Sequence, residues 1–171
     1  LWALHSALTA GEAVQITGAV EGGVAQLSGL GGVGKSLLAE EYALRFAAAY
    51  PGGVFWLRAS QEQQLTSADD VTLDVGRDTR LRSIAADLQI EVQGRSPEEV
   101  AGAVRAYIER VEGRCLWVVD DLPGGLGADR ARAWFAPDAN ATTLLTTRTR
   151  EYKLLAQTSS TVCRLRTVTR C

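Results

Sequence analysis

The segment Gly29-Leu30-Gly31-Gly32-Val33-Gly34-Lys35-Ser36 constrains what this chain can fold into more than any other stretch. It fits the pattern G-x-x-x-x-G-K-[ST], a phosphate-wrapping loop that has meaning only between a buried strand and a helix. Both flanks are present. Val24-Ala25-Gln26-Leu27-Ser28 reads as a short buried strand, and Leu37-Leu38-Ala39-Glu40-Glu41-Tyr42-Ala43-Leu44 reads as a helix.

The residue types suit polyphosphate chemistry. Glycines let the backbone approach closely and take up torsions that a Cβ disfavours. A helix starting at Lys35 presents unpaired N–H groups and the positive end of its dipole. The expected cradle is Gly29, Leu30, Gly31, Gly32, Val33, Gly34, Lys35 and Ser36, with Leu37 in the same first turn. Lys35 supplies a point charge to the β- and γ-phosphates, and the Ser36 hydroxyl suits Mg²⁺. Lysine is otherwise scarce, occurring again only at Lys153.

Strands and helices alternate along the rest of the chain. Leu1, Leu4 and Leu8 have helical spacing, so residues 1–20 read as the end of an entering helix and a connector. Residues 21–171 then form a nucleotide-binding domain. The helix after the glycine loop is expected to run to about Tyr50, where Pro51-Gly52-Gly53 ends it. Val54-Phe55-Trp56-Leu57 reads as a second strand. Residues 61–80, with Asp69, Asp70, Asp74 and Asp78, read as a solvated polar loop; their spacing does not fit a calcium loop. Leu81, Ile84, Ala85 and Leu88 lie on one helical face. Ser96-Pro97-Glu98-Glu99 is a capping box that opens another helix, with Val100, Val104, Tyr107, Ile108 and Val111 inward. Leu116-Trp117-Val118-Val119 and Ala141-Thr142-Thr143-Leu144-Leu145-Thr146-Thr147 read as buried strands, and 161–167 as an edge strand. The expected fold is therefore α/β: a mostly parallel sheet covered on both faces, a three-layer α/β/α sandwich.

Two further groups complete a site. Asp120 and Asp121 follow the third strand, at the edge where ligands bind in open α/β sheets. Asp120 is the candidate Mg²⁺ holder and Asp121 the group that polarises an attacking water. Arg148 follows Thr146-Thr147 at the same edge, where a guanidinium can detect a γ-phosphate. His5, the single histidine, reads as a boundary residue of a short amphipathic helix.

Together GLGGVGKSLLAEEYALRF, VFWLRAS, CLWVVDDLP and TTLLTTRTR, in that order, resemble the core of NB-ARC proteins, signalling P-loop ATPases of the STAND class. The resemblance spans roughly Val24 to Arg150. It implies a P-loop NTPase sheet in the order 5-1-4-3-2, which sets the Thr-Thr-Arg strand between the glycine-loop strand and the Asp-Asp strand. It implies ATP and ADP as ligands with Mg²⁺, slow hydrolysis as a reset, and catalytic roles for Lys35, Asp121 and Arg148. It also implies partners: neighbouring effector and sensor domains, and nucleotide-dependent homo-oligomers. The Gly-Arg-Glu segment, the Gly-Leu-Pro-Leu segment and the helical and winged-helix parts of such proteins do not occur in this sequence. With no methionine at all, the chain is expected to be a piece of a longer protein.

Composition narrows the field. A net charge of −2 offers no broad pull toward nucleic acid or anionic membrane. No apolar run approaches the roughly 20 residues of a membrane span. Cys115, Cys163 and Cys171 form no metal or disulfide pattern, which suits reduced thiols and a cytoplasmic setting. The residues around Lys153 lack the Asn-Lys-x-Asp that commonly reads guanine. Other readings of the same glycine loop are an AAA-type ATPase, a small-molecule kinase and a degenerate interaction scaffold.

Overall fold

The computed structural model describes residues 1–9, 24–59, 70–149, 151–154 and 158–161. Its centre is a sheet of β1 (Val24–Ser28), β2 (Gly53–Arg58), β3 (Cys115–Leu122), β4 (Ala141–Thr147) and β5 (Thr158–Thr161). The spatial order is β2-β3-β4-β1-β5, and every pairing is parallel. β4 therefore lies between β1 and β3, as expected.

The strands are apolar on both sides because both faces are covered. One face carries Phe55 and Leu57 of β2, Cys115, Trp117 and Val119 of β3, and Leu145 of β4. Helices α3 (Asp70–Asp87) and α4 (Pro97–Arg110) cover it with Leu73, Leu81, Ile84, Val100, Val104 and Ile108. The other face carries Ala25, Leu27, Leu116, Val118 and Leu144. Helices α1 (Trp2–Thr9) and α2 (Lys35–Arg45) cover it with Leu4, Leu8, Ala39 and Tyr42. The result is a three-layer α/β arrangement.

His5 ties two helices of that layer together. Its ring stacks on Phe46 at 4.1 Å, and its Nδ1 lies 3.1 Å from the Tyr42 hydroxyl, which in turn lies 2.7 Å from the Tyr50 hydroxyl. Burial raises the pKa of both phenols, so the two hydroxyls stay protonated. The boundary role expected of His5 is what the structure shows.

Several boundaries differ from expectation. Residues 70–80 belong to α3 and not to a loop. Only part of α3 is buried in the core, while its acidic residues Asp74 and Asp78 pair with Arg130 and Arg82, so the polar composition concealed a helix. Asp69 and residues 60–68 lie outside the described residues. α2 stops at Arg45 and gives way to a 3-10 turn over Ala47–Ala49, so it does not reach Tyr50. An edge strand is described at Thr158–Thr161; of the strand expected at 161–167 only Thr161 is described, and residues 162–171, with Cys163 and Cys171, and the connector from residue 10 to 23 lie outside the described residues. A short helix, α5 (Ala128–Arg132), follows β3 unannounced. It leads to Trp134, whose carbonyl accepts the Trp117 indole N–H at 2.8 Å.

The capping box is present as read. The Glu99 backbone N–H donates to the Ser96 hydroxyl, and the Ser96 N–H donates to the Glu99 carboxylate.

Candidate functional site

The side-chain alternation of a strand fixes which groups can meet at the C-terminal edge of the sheet. Leu116 and Val118 of β3 face α2, so Asp120 faces α2 as well. Leu144 of β4 sets Thr146 on the same face, and Arg58 of β2 pairs in register with Asp120. Ser36, in the first turn of α2, donates to Asp120 Oδ1 at 2.6 Å, and Thr146 donates to the same oxygen at 2.7 Å. The Arg58 Nε approaches Asp120 Oδ2 at 3.3 Å. Asp120 is almost fully buried, so this set of partners is what makes its charge tolerable there.

In a regular strand the next residue, Asp121, would turn to the opposite face. It does not, because β3 bulges there. Val119 pairs with Leu145 and Leu122 pairs with Thr147, leaving Asp120 and Asp121 together opposite Thr146. Asp121 has φ of 55°, a left-handed conformation that Asp tolerates better than most side chains. Its N–H donates to the Thr146 hydroxyl at 2.8 Å, and the Thr147 hydroxyl donates to the Leu122 carbonyl at 2.7 Å. The two threonines thus staple the bulge from the neighbouring strand. The carboxylates were expected just past the end of β3; they lie inside it, at this irregularity.

Re-aimed by the bulge, Asp121 meets Arg148 in a two-pronged ion pair. Arg148 Nε donates to Asp121 Oδ1 at 3.1 Å, and a terminal guanidinium nitrogen donates to Oδ2 at 3.0 Å. The same guanidinium lies 3.8 Å from where a Cβ on Gly31 would stand, so Arg148 leans on the glycine loop.

The loop itself joins β1 to α2 across the same edge. Gly32 and Gly34 have φ of 76° and 85°, positions where a side chain would be strained. No side chain caps the start of α2, and the first-turn N–H groups have no acceptor within the helix. Lys35 is buried and folds back, donating to the Gly29 carbonyl at 2.8 Å and the Leu30 carbonyl at 2.9 Å. Burial lowers its pKa; Asp121 and Asp120 oppose that shift, and Arg148 adds to it. Gly29, Gly31 and Val33 lie along the same turn. The Leu30 and Leu37 side chains are largely exposed, so these two residues bring backbone and not side chains to the site.

Lys35, Ser36, Asp120, Asp121 and Arg148, read separately in the sequence, therefore converge. Two contributors were not singled out there: Arg58 and the Thr146 hydroxyl. The signal for Arg58 was its place one residue past an apolar strand, the same place Asp120 has on β3. Among the described residues no cluster of three or more histidine, cysteine, aspartate or glutamate side chains could cage a metal. A hard oxygen pair is present in Ser36 Oγ and Asp120 Oδ1. That donor set fits Mg²⁺, which keeps several waters and takes few protein ligands.

Among the described residues no helix is long and apolar enough to cross a membrane. No protein-family model matches the chain, and a search of curated proteins returns no significant match.

Proposed function

We propose that this chain is the nucleotide-holding core of a P-loop ATPase used as a signalling switch. The observation that carries the reading is the β3 bulge: it sets Asp120 on Ser36 and Asp121 on Arg148, beside the glycine loop and Lys35.

The loop and the first turn of α2 bind the phosphates through backbone N–H groups. Lys35 leaves the Gly29 and Leu30 carbonyls and places its charge on the β- and γ-phosphates. Ser36 and Asp120 hold Mg²⁺, which when bound offsets negative charge on the phosphate oxygens. Arg148 would exchange Asp121 for the γ-phosphate, and the Asp121 carboxylate would orient a water for attack. Slow hydrolysis is taken from the resemblance to STAND proteins, and the Arg148–Asp121 pair would keep the carboxylate engaged while no γ-phosphate is bound.

The resemblance to NB-ARC and STAND proteins favours adenine, so the ligands are ATP and ADP. It also supports the switch: ADP holds a resting arrangement, and ATP repositions neighbouring effector and sensor domains and promotes homo-oligomers in the cytoplasm. Direct nucleic-acid binding is not part of this reading.

Calorimetry of the 171-residue chain with ATP and ADP, with and without magnesium, tests the proposal. Magnesium-dependent binding of both is expected. Equal heats with Lys35→Ala would sink it. A phosphate-release assay on Asp121→Asn then tests hydrolysis, whose rate should fall while ATP still binds.

A further inference from the structure

We infer that Arg58 is a built-in stand-in for the divalent cation, holding Asp120 until the metal displaces it. This inference rests on the nucleotide-site reading above and adds a residue that reading does not use.

Asp120 has two carboxylate oxygens with different partners. Oδ1 takes two neutral hydroxyls, Ser36 and Thr146, at 2.6 and 2.7 Å. Oδ2 takes the one cation that pairs directly with Asp120 among the described residues, Arg58, at 3.3 Å. A buried carboxylate needs such a partner. The Arg58 side chain is itself 53% exposed, so it can leave for water at small cost. Ser36 and Thr146 have no such exit: one begins a helix, the other lies in the central strand β4.

Physical chemistry sets the direction of the exchange. Mg²⁺ approaches a carboxylate oxygen to about 2.0–2.1 Å with twice the charge. A guanidinium spreads one charge over a planar group and here stands farther away. A metal on Asp120 Oδ1 would supply the positive charge that Arg58 supplies through Oδ2, so once phosphates help hold the metal Arg58 would be free to swing out. Without metal, Arg58 keeps Asp120 paired and its rotamer held toward Ser36. The cation site is thus preformed at the expense of competition: Arg58 sets how much magnesium the site requires.

The test measures the magnesium concentration for half-maximal binding of a fluorescent ATP analogue to the 171-residue chain. In Arg58→Ala that midpoint should fall about fivefold, the scale of a half-exposed ion pair. Arg58→Lys, which keeps a cation, should fall less. A midpoint that stays put, or rises because Arg58 serves the phosphates, overturns the inference. A second measurement needs no nucleotide. Melting of Arg58→Ala, Asp120→Asn and the double variant in chelator should be non-additive, with Arg58→Ala destabilising only when Asp120 is charged. Additive melting temperatures with nucleotide binding intact overturn the stand-in alone. A wild-type chain that binds no nucleotide at any magnesium concentration overturns the reading of the site and the displacement with it.

Discussion

The two ends of the sheet are stitched by different chemistry. At the N-terminal ends of β3 and β4, the Asn140 amide donates to the carbonyls of Ile108, Val111 and Gly113, at 2.9, 3.2 and 3.1 Å. Those bonds close the turn after α4, and the strand residues above them, Cys115, Leu116 and Trp117, are apolar and buried. At the C-terminal ends ionic stitches join the hydroxyl bonds of Ser36, Thr146 and Thr147: Arg58 to Asp120 and Arg148 to Asp121, with Lys35 folded onto loop carbonyls. Neutral amide bonds to backbone have no reason to exchange. Charged pairs at a solvent edge do, since an anion or a cation can replace either partner. The lower end is thus held by bonds with no exchange partner, and the upper end is where the proposed nucleotide and metal would act.

Substitutions at four positions would break or sharpen that contrast. Trp117→Ala should have the largest effect, about 3–5 kcal/mol of stability, because it removes a buried ring and the indole bond to Trp134. Urea denaturation measures it, and a loss near zero would show that the lower core does not carry the fold. Lys35→Ala comes next: nucleotide affinity should drop about 100-fold, roughly 3 kcal/mol, by calorimetry, with stability little changed. A comparable loss of stability instead would make the upper end structural.

Thr146→Val removes the hydroxyl that serves both Asp120 and the Asp121 N–H. It should cost about 1–3 kcal/mol and raise the magnesium requirement for nucleotide binding. Thr146→Ser should restore both; a serine variant no better than valine would mean that β-branching, not hydrogen bonding, matters there. The smallest effect is expected far from the edge. Ser96→Ala breaks the capping box and should cost about 1 kcal/mol in thermal or urea melts, with nucleotide affinity untouched.

The legible parts of this protein were those governed by local rules. The strand–glycine loop–helix unit, the capping box and the four apolar strands β1 to β4 each follow from a few neighbouring residues and lie close to where they are read, though α2 ends at Arg45. α3 was half missed because one stripe is enough to bury a helix, and its remaining acidic residues look like a loop to composition. α5 was missed because five residues give too short a pattern to detect. The bulge left no mark in the sequence, since Val119-Asp120-Asp121-Leu122 reads the same with or without an extra residue in the ladder.

The sequence by itself determined the glycine loop between strand and helix, the alternation of buried strands with helices, and which charged residues stand near strand ends. These depend on torsional preference and hydrophobic period, which act within a few residues. Only the tertiary structure decided which charges meet. β4 had to lie between β1 and β3 before Thr146 could reach Asp120, and β3 had to slip by one residue before Asp121 could reach Arg148. β2 had to pair in register with β3 before Arg58 could share a carboxylate with Ser36. Each of those contacts spans dozens of residues, and the register of a sheet is set by whole faces being buried at once.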